Sequence, residues 1–228
     1  YYGPGSDQPP VFLPGSSPGE GGGFPGGGGS IGSGLSSASR GMSTSLASMS
    51  QLAFMFALVR QAIRDPLTGV FSRGSGEEIL RLQWDSAQRK DGALALAFID
   101  LDHFKSINDN HGHEAGDQVL RCAARRLVTT LRASDSLLRW GGEEFLLIMP
   151  DTDMQQAHLA LERIVGQGLG LRPDGAPLTA SIGLAERRCD QVGDYRDLLE
   201  LADKRMYYAK TGGRNRLCAM EPDAVLQQ

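Results

Sequence analysis

The sequence predicts an α+β domain in which helices flank a central antiparallel sheet. Two observations carry this prediction. Residues 93–101 (ALALAFIDL) form a continuous apolar run that ends in acid, which is typical of a central strand buried on both faces. Two further apolar runs, at residues 136–140 and 145–149, flank the turn sequence GGEE, and this pattern predicts a β-hairpin.

The remaining elements follow from helical spacing and from turn residues. Residues 65–69 (DPLTG) end a preceding helix, because proline disfavours helical geometry at the residue before it. Helical spacing resumes at residues 75–89, where Ile79, Leu82 and Ala87 are expected to face inward. The later elements are predicted helices at about residues 116–132, 154–167 and 195–210, and predicted strands at residues 178–185 and 216–219. The resulting β-α-β-β-α-β order, with extra elements, is that of the ferredoxin-like or palm-like sandwich.

The composition divides the chain into four parts. Of its 30 glycines, 14 lie in the first 50 residues, so residues 1–44 are expected to be a disordered linker or an artificial addition. Residues 45–64 are predicted to be helical, residues 65–220 to form the folded domain, and residues 221–228 to be a tail.

The predicted N-terminal helix carries one apolar stripe, whose members are spaced 3, 4, 3 and 4 residues apart: Met49, Leu52, Phe56, Val59 and Ile63. The stripe has two interpretations. The helix packs on its own domain, or it forms a short dimeric coiled-coil stalk that passes a signal from an upstream domain. Two heptads are too few to decide between them.

Charge and cysteine content argue against several classes of protein. The net charge of −4 argues against a general nucleic-acid binder, so a site for a phosphate-rich substrate needs local positive charge or a metal ion. Cys122, Cys189 and Cys218 are far apart and odd in number, which argues against a disulfide framework or a zinc site and fits a reducing compartment. No secretory signal is recognised, and residues 41–59 are too polar for a membrane span. We therefore expect a cytoplasmic protein that meets a membrane only through an upstream segment.

Acidic residues cluster where two predicted strands end or begin. Asp100 and Asp102, at positions i and i+2, point to the same side of their strand. They are either a solvated strand end or oxygen ligands for Mg²⁺, whose other positions substrate phosphates fill. Glu143 and Glu144 repel each other in the hairpin turn unless a cation neutralises them, and the glycines before them let a bulky ligand approach the backbone. If the two strands are neighbours, Asp100, Glu143 and Glu144 converge on one metal site.

Four segments together resemble the GGDEF family of diguanylate cyclases. Residues 139–145 (RWGGEEF) are similar to the family's RxGG(D/E)EF signature, and residues 98–109 (FIDLDHFKSIND) to its FxDxDxFKxxND segment. Residues 111–117 (HGHEAGD) and residues 65–69 (DPLTG) resemble two further motifs of the family. The matches run in family order over about residues 65–216, which is roughly the whole predicted domain.

The resemblance implies that the domain joins two GTP molecules into cyclic di-GMP and releases two pyrophosphates. Mg²⁺, or Mn²⁺, would be held by Asp100, the Leu101 carbonyl and Glu143, with Glu144 completing the metal and triphosphate site. Glu143 would also draw the proton from the attacking 3′-hydroxyl. The resemblance gives the residues that touch the nucleotide as well: Asn108 and Asp117 read guanine, Gly141 and Gly142 lie against the nucleotide, and Lys105, Lys210 and Arg214 face its phosphates.

Two further expectations follow from the resemblance. Each domain holds one GTP, so ring closure needs a homodimer in which two domains face each other. Residues 132–135 (RASD) resemble the RxxD inhibitory site of the family, where the product cyclic di-GMP would contact Arg132 and Asp135, with Arg163 as an additional contact. The other interpretation of Arg132 is a cation placed favourably at a helix C-terminus.

The sequence leaves two classes of function open. The first is an active diguanylate cyclase, and the second is a catalytically silent GGDEF domain that acts as a receptor for GTP or cyclic di-GMP. The intact metal acids and Lys210 favour the enzyme, because a receptor does not need them. One departure from the family lies at residues 71–74 (FSRG), where paired basic residues are usual.

Overall fold

A computed structural model of the chain describes residues 63–220 and, before them, residues 51–52 and 54–55. The four residues of the two short pieces are helical, and the side chains of Leu52, Phe54 and Met55 are exposed. The predictions for residues 1–44 and 221–228, and for most of the helix at residues 45–64, lie outside the described residues.

Between residues 71 and 218 the chain forms six strands and five helices. The strands, in chain order, are β1 Phe71–Ser72, β2 Leu94–Leu101, β3 Ser136–Arg139, β4 Glu144–Pro150, β5 Ala180–Glu186 and β6 Arg216–Cys218. The helices are α1 Arg73–Lys90, α2 Phe104–His111, α3 His113–Thr130, α4 Met154–Gln167 and α5 Tyr195–Thr211.

The strands make one sheet in the order β1-β3-β4-β2-β5-β6. Its four central strands, β3, β4, β2 and β5, are antiparallel neighbours, which confirms the predicted ferredoxin-like α+β fold and the predicted hairpin. At the two edges, β1 pairs with β3 and β6 pairs with β5 in parallel, so the complete sheet is mixed.

The central strand β2 is buried on both faces, as its apolar run predicts. Ala97 and Ile99 face a core that includes buried residues of α3 and α4. Leu96 and Phe98 face a second core, to which α1 and α5 contribute. Helices therefore cover both sides of the sheet, and the end of β2 is the point from which polar residues emerge.

One of the residues predicted to face inward on α1 faces outward. Leu82 is 59% exposed, whereas Leu80 is completely buried. The helix begins earlier than its spacing suggests, and its buried stripe consists of Gly76, Leu80, Trp84 and Ala87. Ala87 was predicted correctly, and Ile79 packs at the margin of the core. The true stripe follows the i, i+4 rows that face the sheet.

Several elements differ from the sequence prediction in their bounds, and one short strand was missed. The helix expected at residues 116–132 begins at His113 and ends at Thr130, and a separate helix, α2, precedes it across Gly112. Strand β1, only two residues long, was not predicted. Strand β5, expected at residues 178–185, begins two residues later and ends one residue later. Its last residue is Glu186, whose buried carboxylate accepts hydrogen bonds from backbone N–H groups, the nearest that of Cys189 at 2.7 Å.

Two further expectations concern cysteines and membranes. Cys122, Cys189 and Cys218 are free thiols. Within the part of the chain that the structure describes, no helix has both the length and the apolar character that crossing a membrane requires.

We expect alanine substitutions of Leu80 and Leu82 on α1 to differ clearly in their effect on the free energy of unfolding. Leu80→Ala removes a fully buried side chain and should lower the free energy of unfolding by about 2–5 kcal/mol. Leu82→Ala, on the exposed face of the same helix, should change it by no more than about 0.5 kcal/mol. Urea unfolding followed by circular dichroism measures both, and equal losses would contradict the observed orientation of the helix.

Candidate active site

Polar residues gather where the end of β2 meets the start of β4. Asp100 is the register partner of Glu144 on β4 and of Ser181 on β5. The backbone N–H of Leu101 donates to the Glu143 carbonyl at 3.3 Å, so the hairpin turn folds onto the end of β2. The predicted proximity of Asp100 to the turn glutamates is therefore observed.

Asp100 is a buried carboxylate with one direct cationic partner among the described residues. Its side chain is almost inaccessible, and the Lys210 ammonium lies 2.6 Å from Oδ2. Burial raises the pKa of Asp100 to about 6, the charge and hydrogen bond of Lys210 oppose that shift, and Glu143 and Glu144 add to it. The site thus concentrates negative charge around a single lysine.

Glu144 belongs to the same charged group. Its pKa is raised chiefly by burial, with Lys210 opposing the shift and the charges of Asp203 and Glu143 adding to it. The pKa of Asp203, which lies on α5 two turns before Lys210, is also raised by burial. The sequence analysis did not assign Asp203, although its helical spacing from Lys210 places both residues on one side of α5.

A cavity of about 470 Å³ opens beside these acids. Six of the predicted site residues line it: Asp100, Leu101, Lys105, Glu143, Lys210 and Arg214. The lining of the cavity therefore combines four acids, at residues 100, 102, 109 and 143, with three cations, which come from the start of α2, the end of α5 and the loop that follows α5. Its other lining residues include Ser106, Asp109 and Asn110, none of which the sequence analysis assigned.

The two residues predicted to read guanine lie at the junction of α2 and α3, beside this cavity but not in its lining. The Asn108 carboxamide packs so closely on Gly116 that a Cβ at residue 116 would overlap its oxygen. This contact holds Asn108 next to Gly116 of α3, the residue before Asp117. The Asp117 carboxylate is half-exposed, and its ion-pair partner is Arg121 at 3.9 Å.

The two turn glycines differ in their surroundings. A side chain at Gly141 would approach the Glu144 carboxylate, with 2.5 Å between a Cβ and Oε2, whereas a Cβ at Gly142 would meet no protein atom within 4 Å. The backbone of the turn is therefore open to an approaching molecule at Gly142, whereas the Glu144 side chain lies over Gly141.

Arg139 holds the turn in shape. Its guanidinium donates to the Gly142 carbonyl at 2.7 Å and to the Gly141 carbonyl at 3.2 Å. It also reaches Asp65, 3.3 Å away and 74 residues earlier in the chain. Thr68 donates to the same carboxylate through its backbone N–H and its hydroxyl. Partial burial alone would raise the pKa of Asp65, but Thr68 and Arg139 outweigh burial and lower it. Sequence reasoning identified both motifs and missed this link between them.

Asp102 fixes a loop. Its buried carboxylate accepts hydrogen bonds from the hydroxyls of Thr179 and Ser181, each at 2.7 Å, and from the Asn215 backbone N–H at 2.9 Å. It thereby ties the end of β2 to β5 and to the loop that carries Arg214. The sequence signal for this role was a pair of hydroxyl residues, Thr179 just before β5 and Ser181 within it.

The predicted inhibitory residues lie together on another surface. The Asp135 carboxylate accepts from the Arg132 backbone N–H at 2.9 Å, which closes a tight turn after α3. Arg163, on α4, donates to the Thr130 carbonyl at 3.3 Å. Because α3 ends at Thr130, Arg132 lies beyond the helix and its side chain is exposed. The turn borders a cavity of about 890 Å³.

The donor set at the end of β2 fits a hard divalent cation. Asp100 and Glu143 supply carboxylate oxygens and Leu101 a carbonyl. Throughout the described ranges, no three His, Cys, Asp or Glu side chains are grouped closely enough to hold a metal ion by themselves. The pKa of Asp100 is raised chiefly by burial and further by Glu143 and Glu144, and a bound cation would favour the ionised form that both effects disfavour. Such a partial set suits Mg²⁺, which keeps several positions for water and phosphate oxygens.

A comparison with known protein families identifies the family of the domain. Residues 62–216 match the family model described as "Diguanylate cyclase, GGDEF domain". The chain belongs to the GGDEF family. The match covers β1 to β5, the five helices, the first residue of β6 and every residue of the candidate site.

Curated and solved relatives agree with this assignment. The GGDEF domain is similar to "Probable diguanylate cyclase DgcC" of Escherichia coli K12, with 43% identity over 157 residues, which are 67% of this chain and 42% of the relative. The chain therefore spans less than half the length of that relative. It also resembles the coiled coil and GGDEF domain of DgcB from Caulobacter crescentus in complex with c-di-GMP, with 30% identity and a TM-score of 0.70, over 81% of this chain and all of that one. Diguanylate cyclase SiaD of Pseudomonas aeruginosa, solved with its activator SiaC, is 36% identical, with a TM-score of 0.65, over 80% of this chain and 70% of that one.

The link between Asp65 and Arg139 predicts how stability of the GGDEF domain changes with pH. The folded pKa of Asp65 lies below its unfolded value, so the ionised carboxylate stabilises the fold above the unfolded pKa. This contribution is lost as the pH falls through the folded pKa. Asp65→Asn should therefore lower the free energy of unfolding by about 1–2 kcal/mol at neutral pH and by much less near about pH 3.

Denaturant unfolding across this pH range measures the difference between the two proteins. Glu162→Gln, a matched change of an exposed acid on α4, serves as the control and should show a smaller difference at neutral pH. An Asp65→Asn effect that stayed constant with pH would show that the ion pair contributes nothing to stability.

Proposed function

We propose that this GGDEF domain is a diguanylate cyclase, which condenses two GTP molecules into cyclic di-GMP and releases two pyrophosphates. The observation that supports the proposal most directly is the cavity in which Asp100 and Glu143 face Lys105, Lys210 and Arg214. Nucleotidyl transfer needs hard oxygen ligands for a divalent cation and positive charge for a triphosphate, and this cavity has both. The names of the relatives point to the same activity.

In the proposed site, Asp100, the Leu101 carbonyl and Glu143 hold Mg²⁺ or Mn²⁺, and Glu144 completes the acidic wall. The bound cation supplies Lewis-acid stabilisation of the charge that develops on the phosphate oxygens. Glu143 accepts the proton of the attacking 3′-hydroxyl, and its backbone is fixed by the hydrogen bond from Leu101. The open backbone at Gly142 leaves room for the nucleotide.

Substrate selection in the proposed site depends on the α2–α3 junction. A carboxylate accepts from both N1–H and the exocyclic amine of guanine, whereas adenine offers no such pair of donors. Asp117, with Asn108 beside it, supplies these acceptors. Lys105, Lys210 and Arg214 then face the phosphates. To face the phosphates, Lys210 would have to leave its 2.6 Å contact with Asp100.

One domain holds one GTP in this scheme, so the active species is a homodimer. The 3′-hydroxyl of each GTP attacks the α-phosphorus of the other, and the P–O bond to the pyrophosphate breaks in each transfer. The exposed Leu52, Phe54 and Met55 support a second copy as the partner of the N-terminal helix, and the Caulobacter relative was solved together with its coiled coil. The three free thiols support a reducing, cytoplasmic location.

Incubation with GTP and Mg²⁺, with the products separated by chromatography, tests the activity. We expect cyclic di-GMP from the parent chain and a rate lower by on the order of 100-fold or more for Glu143→Gln, because the change removes the base and a metal ligand. Glu78→Gln, an exposed acid on α1, should match the parent.

If the parent chain is silent, the assay is repeated on a fusion that is dimerised by an added coiled coil. If that fusion also makes no cyclic di-GMP but still binds GTP or cyclic di-GMP, the domain is a receptor and not an enzyme. Equal activity of the parent and Glu143→Gln would instead exclude the proposed role of the turn.

The proposed product-inhibition site makes a separate prediction, which needs no turnover. Arg132→Ala should weaken binding of cyclic di-GMP by about tenfold or more, because it removes charge-assisted hydrogen bonds to phosphate. Arg188→Ala changes an exposed arginine far along the chain and should leave binding unchanged. Calorimetric titration of the purified chain measures both, and unchanged affinity in Arg132→Ala would remove this arginine from the site.

A further inference from the structure

A second cleft lies on the outer side of α3, against the loop that precedes β5. Its volume is about 510 Å³, and its apolar wall includes Val119 of α3 and Leu171 and Pro173 of the loop. We call it the α3 cleft. It shares no lining residue with the cavity at the end of β2 and none with the cavity beside Arg132 except Arg125.

The charged residues that line the α3 cleft are all arginines, although the chain as a whole is acidic: Arg121, Arg125 and Arg172. Arg125 has no ion-pair partner in the described part of the chain, and its Nε donates to the Arg121 carbonyl. Arg121 has only a half-exposed contact with Asp117 at 3.9 Å, which is weak in water.

Arg172 adds an unused donor. Its guanidinium pairs with Asp174 at 3.2 Å, and yet its Nε is buried and finds no hydrogen-bond acceptor among the residues that the structure describes. A buried donor without an acceptor is costly, and an anionic ligand is one way to satisfy it. The cleft therefore presents convergent donors and an excess of positive charge.

The cleft is formed in advance by the local backbone. Gly170 has a φ of 124°, and a Cβ at this position would lie 3.1 Å from the Cys122 sulfur, so the loop packs closely on α3. The Leu178 N–H donates to the Gly170 carbonyl, and the Arg172 N–H donates to the Ala176 carbonyl at 2.8 Å. These bonds hold Arg172 in place, which lowers the cost of ordering the site when a ligand binds.

We propose that the α3 cleft binds a small phosphate ester with an apolar or aromatic portion, such as a mononucleotide. Guanidinium groups match phosphate oxygens through paired N–H donors, so the three arginines take the phosphate. Val119, Leu171 and Pro173 offer the apolar surface on which a ring packs. The volume lies within the range of small-molecule sites.

Cys122 provides a reporter inside the cleft, because its half-buried thiol is part of the lining. The probe is adenosine monophosphate, since the proposed guanine-reading residues give it no advantage at the other site. We expect the probe to slow alkylation of Cys122 by iodoacetamide several-fold, as followed by peptide mass spectrometry. Cys189 and Cys218 act as internal references and should react at unchanged rates. Adenosine, which lacks the phosphate, should not protect Cys122.

Charge-neutral variants then assign the effect to the arginines. Arg125→Gln and Arg172→Gln should each lose the protection, whereas Arg188→Gln, outside the cleft, should retain it. Calorimetric titration of the same proteins with adenosine monophosphate gives a second measurement, and circular dichroism establishes that each variant is folded. Absence of binding to the parent chain, or equal protection in Arg125→Gln and Arg172→Gln, would overturn the proposal. Neither measurement depends on turnover of GTP, so failure of the proposed enzyme would leave this test intact.

Discussion

Strand β2 is buried on both faces along its whole length, and most of the architecture follows from that constraint. A strand with two apolar faces needs helices on each side, which the two helical layers supply. The constraint extends to Asp100, an acid that is only 3% exposed. An ionised carboxylate in such a place needs a partner, because the effective penalty of burying one is several kcal/mol. Lys210 on α5 supplies the charge, so a helix that closes the core also brings a cation to the site.

The parts that sequence reasoning predicted well are those whose pattern is local. The bounds of α4 were predicted to the residue, because an aspartate cap and an amphipathic repeat mark both the start and the course of that helix. The apolar run of β2 and the glycine turn of the hairpin were sufficient for the centre of the sheet. The acids at the end of β2 and in the turn could be placed together because only strand pairing had to be assumed.

The parts that were missed depend on partners far away in the chain. Leu82 and Leu80 both satisfy a helical pattern, and only the position of the sheet decides which is buried. Strand β1 is too short to have a pattern and exists because β3 lies beside it. The pairing of Asp65 with Arg139 spans 74 residues, and no spacing rule within either motif predicts it. Such contacts are properties of the folded chain, which local propensity does not contain.

The different environments of Asp100 and Asp102 explain why the acidic site is incomplete. Both residues point to one side of the strand end, but the carboxylate of Asp102 already accepts three hydrogen bonds, which hold β5 and the loop carrying Arg214. Among the described residues, the side chain of Asp100 has one direct partner, Lys210. Asp102 thus fixes the frame of the site, whereas the side chain of Asp100 is held by a single ion pair. The proposed binding of a cation and a triphosphate would depend on this difference, because Asp100 has oxygen atoms to offer a metal ion while Asp102 keeps the loop of Arg214 in place.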